Sequence, residues 1–113
     1  METQHLIQAT CPECRGPLTE IIRTDGTELH EYRCLVGHAY SSRVLLEAHA
    51  KTQEDTLWAG VVALEEAANM ARVVAGQFPE AVQRRLGEQA DRKQQQANEL
   101  RGIIERLEPF DIG

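Results

Sequence analysis

Cys11-Pro12-Glu13-Cys14, nineteen intervening residues, then Cys34-Leu35-Val36-Gly37-His38: this C-x2-C-x19-C-x3-H spacing decides how the first third of the chain folds. Zinc takes four nitrogen or sulfur ligands in a tetrahedron, and two short turns joined by a β-hairpin supply that geometry. Cys11, Cys14 and Cys34 are the expected thiolate ligands. His38 is the expected fourth, since Gly37 lets the turn bring its imidazole round. One irregularity is Arg15. Zinc knuckles often place glycine directly after the second cysteine, where a positive φ is favoured, and here Gly16 comes one residue late. A Cys-x-x-Cys redox pair is the competing chemistry. It calls for a thioredoxin-like βαβ setting and leaves Cys34 without a role.

The segment between the two turns reads as a hairpin. Residues 18–23 and 28–33 are strand-length runs around Thr24-Asp25-Gly26-Thr27, and Asp-Gly favours a tight turn. So small a module cannot offset its conformational entropy with its own core. One structural zinc ion supplies about 10–16 kcal/mol of apparent binding free energy, which is also folding free energy. Four protein ligands close the coordination sphere, so the site is expected to hold structure rather than activate water. His5, His30 and His49 read as ordinary surface histidines.

Beyond residue 42 there is no cysteine, and the pattern turns helical. Either Ser41 or Ser42 can cap the helix start. Leu46, Ala50, Gln53, Leu57, Val61, Leu64, Ala68, Ala71 and Ala75 recur at spacings of four and three, predicting a helix over about 43–75. Gly76-Gln77-Phe78-Pro79 is a stop and restart. A second helix over about 80–108 carries the seam Leu86, Ala90, Lys93, Ala97, Leu100, Ile104 and Leu107. Long helices on a short connection make an antiparallel hairpin. The expected architecture is therefore α+β but mostly α: a zinc-ribbon-like hairpin module over 1–42, then a helical hairpin over 43–113. Two helices cannot enclose their own apolar surface. Leu57, Trp58, Val61 and Leu64 are the candidate interaction residues, with Trp58 expected as a core anchor. Self-association as a homodimer forming a four-helix bundle is the simplest use of that surface, and a groove for a partner helix is the alternative.

Composition narrows the function. The chain has 113 residues, 42% hydrophobic and 27% charged, with only 4% aromatic. No run approaches a membrane span, and METQHLIQAT lacks the basic and apolar regions of a signal peptide. Three cysteines cannot close a disulfide framework, so a reducing, cytoplasmic setting is expected. No nucleophile elbow, phosphate-binding glycine loop or H-E-x-x-H motif is present, and no enzyme activity is expected. Glu54-Asp55 and Glu65-Glu66 read as solvated helix surface. A nucleic-acid-binding ribbon is the alternative function, but residues 1–42 carry a formal −3. Three thiolates around one Zn²⁺ add a further −1, and an acidic ribbon repels phosphate.

The strings Cys11-Pro-Glu-Cys14, Tyr32-Arg-Cys-Leu-Val-Gly-His-Ala-Tyr-Ser41 and Leu57-Trp-Ala-Gly-Val-Val-Ala-Leu-Glu-Glu66, in that order, resemble the C-terminal extension of certain bacterial chemotaxis-type protein-glutamate methylesterases. That extension carries a zinc-ribbon-like segment followed by long helices. The resemblance covers about residues 10 to 75 well, and the second helix only loosely. It implies a metal quartet of Cys11, Cys14, Cys34 and His38 and a regulatory role in chemotaxis-like or two-component signalling. No catalytic residue carries over, because the esterase hydrolyses with a serine, a histidine and an aspartate on a separate α/β domain. Two positions depart from the pattern: Arg15 replaces a glycine, and Ser42 stands where a proline often follows. Met1 fits a free-standing homologue of the extension rather than a cut-out piece.

Overall fold

The computed structural model describes residues 1–113. Four strands, β1 (Glu2–Thr10), β2 (Pro17–Arg23), β3 (Leu29–Cys34) and β4 (Ala39–Tyr40), form one antiparallel sheet in sequential order. Two helices follow, α1 (Ser42–Val74) and α2 (Glu80–Glu105), joined by a 3-10 turn at Ala75–Gln77. This is the expected α+β, mostly helical architecture. The sheet, however, has two strands more than the expected hairpin. β1 is a polar edge strand whose backbone pairs with β2 from Glu2↔Arg23 to Leu6↔Thr19 before an irregularity toward Thr10↔Pro17. Its hydrogen bonds need no apolar alternation, so hydrophobic patterning does not reveal it. Arg23 pairs with Leu29, so the β2–β3 connection is a five-residue loop over 24–28, with Gly26 at φ 94°, rather than a two-residue turn.

The chain divides into two compact units, Met1–Thr52 with Pro109–Gly113 and Gln53–Glu108. In the first, the core is Cys11, Leu18, Cys34, Tyr40 and Leu45, with Ile7, Ala9 and Tyr32 packed against it. Ser41 starts α1: its hydroxyl accepts the Val44 N–H and its carbonyl the Leu45 N–H. That cap sets Leu45, in the first turn, into the core. Each sheet face carries a cross-strand chain of charges. On one, Glu20 accepts from His5 (2.9 Å), His30 (3.2 Å) and the Tyr32 hydroxyl (2.7 Å), and His30 also meets Glu28 at 2.9 Å. On the other, Arg23 bridges Glu2 and Glu31, and Arg33 meets Glu31 at 2.7 Å. So His5 and His30, although at the surface, are paired rather than merely solvated.

In the second unit, Val61, Ala68, Ala90 and Ala97 are fully buried along the seam. Gly60 of α1 faces Leu100 of α2, and a Cβ there would stand in ordinary van der Waals contact, 3.4 Å from Leu100 Cδ1. Glu65, expected to be solvated, instead accepts from Arg101 at 2.6 Å and from the Gln94 amide at 3.2 Å. Those two bonds, with burial opposing them, hold its carboxyl below the ordinary value. Gln94 thus replaces Lys93 on the inward side, where an ammonium would lose its hydration, and Lys93 is exposed. Trp58 is 40% exposed, its ring beneath the Arg101 guanidinium at 5.5 Å, so it does not anchor the core. Gly76 needs no left-handed backbone. Pro79 makes the restart, its carbonyl accepting both the Val82 and Gln83 N–H groups at 2.9 Å.

Candidate metal centre

The two turns that carry the cysteines and His38 lie at the same end of the sheet, because β1 runs into one and β3 into the other. The first covers Cys11–Gly16. The Cys11 N–H donates to the Gly16 carbonyl at 2.7 Å and the Arg15 N–H to the Cys11 carbonyl at 2.8 Å. Arg15 itself takes φ 65°, the left-handed position that glycine would fill without steric cost. At the delayed Gly16, whose backbone is not left-handed, a Cβ would stand in ordinary contact with Cys14 Sγ, 3.4 Å away. The second turn covers Cys34–His38. The Cys34 N–H donates to the His38 carbonyl, the Gly37 N–H to the Cys34 carbonyl, and Gly37 sits at φ 108°.

The four expected ligands converge: one ligand atom from each of Cys11, Cys14, Cys34 and His38 lies within 4.8 Å of all the others. His38 Nδ1 is 3.5 Å from Cys11 Sγ and 3.3 Å from Cys34 Sγ. Zn–S and Zn–N bonds of about 2.3 and 2.1 Å at a tetrahedral angle put sulfur and nitrogen about 3.6 Å apart. The donor set and its spacing therefore fit a tetrahedral metal ion of borderline softness. Cys11 and Cys34 are buried and Cys14 is exposed, with no disulfide among them.

The surroundings favour thiolate at Cys11 and Cys34 but not at Cys14. Burial alone would raise the Cys11 thiol, but the Tyr40 hydroxyl at 3.2 Å and the backbone N–H groups of Cys14 and Glu13 outweigh it and bring it down to about 6. Burial also opposes ionisation of Cys34, and the His38 N–H, 3.3 Å from Sγ, leads the contacts that lower it. For Cys14 the Gly16 backbone assists, yet burial and the neighbouring sulfurs of Cys34 and Cys11 raise it overall. Three sulfurs so close cannot all carry charge unless a cation joins them. The imidazole of His38 is pushed up by Cys11, against burial and with Cys34 and Glu13 adding to it. Burial and contact with Cys11 push the Tyr40 hydroxyl up, so it stays a donor to sulfur.

Two residues of this centre escape a search for ligands. Glu13 Oε2 lies 2.9 Å from His38 Nε2, on the ring edge opposite the sulfurs. Tyr40, only 8% exposed, closes the interior side against Cys11. Their signal in the sequence is positional: one lies inside the Cys-x-x-Cys turn, the other two residues past the histidine. Of the candidate interaction residues, Val61 is fully buried, Leu57 and Leu64 are half-buried, and Trp58 is exposed. They line the helical hairpin of the second unit. No protein-family model, curated protein or solved structure matches the chain.

Proposed function

We propose that the chain is a non-catalytic, zinc-stabilised protein-interaction module. The observation that carries this reading is the convergence of three sulfurs and one imidazole nitrogen within 4.8 Å. Four protein donors fill a tetrahedron and leave no position for water or substrate, which supports a structural ion rather than a catalytic one. Zinc is the ion of choice because a Cys₃His set suits it and requires no redox change. The helices are the interaction element. Val62, Met70 and Val73 of α1 are 50%, 58% and 73% exposed, an apolar outer side that supports self-association as a homodimer. The setting we infer, chemotaxis-like or two-component signalling in the bacterial cytoplasm, rests on the resemblance of the Cys-Pro-Glu-Cys, Tyr-Arg-Cys-Leu-Val-Gly-His-Ala-Tyr-Ser and Leu-Trp-Ala strings to the methylesterase extension. No helix is long and apolar enough to cross a membrane.

Native mass spectrometry of protein purified without added metal tests the proposal. One zinc per chain in an even-numbered oligomer is the expected result. A metal-free monomer, or a chain closed by a Cys11–Cys14 disulfide, would overturn it and bring redox chemistry forward.

A further inference from the structure

We infer that Glu13 is the positioning residue of the metal centre: by accepting the Nε2–H of His38 it keeps Nδ1 facing the sulfurs, and it thereby sets how fast the ion exchanges. The inference rests on the zinc reading above and deepens it.

The two ring nitrogens face different partners. Nδ1 lies 3.5 and 3.3 Å from the sulfurs of Cys11 and Cys34, while Nε2 lies 2.9 Å from Glu13 Oε2. A neutral imidazole carries one N–H. A carboxylate at Nε2 places it there and leaves the Nδ1 lone pair for the ion, which fixes both tautomer and ring angle. The other ligands are held differently. Cys11 and Cys34 are core residues gripped by the Tyr40 hydroxyl and the His38 N–H. Cys14 is fixed by its place in a tight turn closed by the Cys11–Gly16 backbone bond. His38 alone relies on a surface side chain for its ring orientation. Glu13 is 58% and His38 34% exposed, so the pair stands open to solvent. Losing the carboxylate frees the imidazole to turn away, and the ion then has its weakest link on the side where a competing chelator arrives.

Zinc transfer from the loaded full chain to a chromogenic chelator, followed by stopped flow, tests this in wild type, Glu13→Ala, Glu13→Gln and Glu28→Ala. Glu13→Ala is expected to weaken zinc binding about 10–100-fold, the range for loss of an outer-shell partner, and to speed transfer correspondingly. Glu13→Gln keeps an acceptor oxygen without the charge and should fall between it and wild type. Glu28→Ala removes one negative charge away from the turn and should match wild type. Cobalt substitution adds a readout that a purely structural role would not move. The sulfur-to-cobalt intensity should persist in Glu13→Ala while the d–d bands shift as imidazole gives way to water. If Glu13→Ala is too unstable to load, Glu13→Gln decides alone. Zinc-loaded wild type with unchanged transfer in the Glu13 variants would overturn this inference and leave the zinc reading intact. A wild type that holds no zinc would defeat the zinc reading itself.

Discussion

The two compact units of this chain solve one problem, too few large apolar residues, by different means. In the sheet unit, two of the five core residues, Cys11 and Cys34, are also candidate metal ligands, and each sheet face carries a chain of ion pairs beside its few buried apolar residues. In the helical unit, Val61, Ala68, Ala90 and Ala97 pack with no exposed surface. With a metal ion at those donors, one unit would draw its cohesion from a point, the other from a line. A point contributes all of its energy or none, whereas a line loses it by increments.

Metal removal should therefore separate the units most sharply. Chelation, or Cys34→Ser, is expected to dissolve amide dispersion for residues in the sheet unit, where about 10–16 kcal/mol is at stake. The far-ultraviolet helical signal should largely survive. Loss of both signals together would show that the units do not fold separately. Ala90→Leu makes the converse cut. Overfilling a fully buried alanine should cost the helical hairpin about 1–3 kcal/mol in denaturant melts while bound zinc stays at one per chain. An unchanged melt would mean that the seam is loose.

Arg15→Gly sharpens the contrast from the other side. The arginine holds φ 65°, and its replacement should stabilise the zinc-loaded sheet unit by up to about 1 kcal/mol without touching a ligand. A loss of zinc affinity would show that the arginine side chain has a use of its own. The smallest effect belongs to the sheet face that bears histidines. Glu20 foremost, then Glu28, raise the His30 imidazole. Its contribution is thus fully present below about pH 6.5, the unfolded value, and is lost as pH rises through the higher folded value. Glu20 is lowered, first by the Tyr32 hydroxyl and then by His30, so its contribution is present above the ordinary carboxylate value and lost as pH falls through the depressed one. The pair is strongest in the window between. NMR titration of the His30 ring in zinc-loaded protein should give a midpoint above that of an ordinary histidine, and Glu20→Gln should move it down. The opposite face, built on Arg23 and Arg33, should show no such response near neutral pH.

Ligand spacing, the central strand pair and both helices were legible because each rests on local chemistry: soft donors at turn spacing, alternation around Asp25-Gly26, and apolar residues at helical period. What escaped rests on contacts between distant segments. β1 is held by backbone hydrogen bonds at an edge, and its polar side chains conceal it. Gln94 rather than Lys93 faces inward, its amide donating to Glu65, 29 residues earlier in the chain. Trp58 adjoins Leu57 in sequence but lies off the seam, covered on one side by Arg101. The roles of Glu13 and Tyr40 emerge only once the turns are brought together.

Placing two ligands inside the core has a further consequence once zinc is the resident ion. For such a protein the folded fraction is governed by the free metal activity of the compartment as much as by temperature. Stability follows the logarithm of ligand activity over its dissociation constant, so each tenfold fall in free zinc removes about 1.4 kcal/mol from the sheet unit until binding no longer saturates. Turnover of the chain by proteases that attack open segments would then follow zinc supply, and its abundance would record the metal status of the cell.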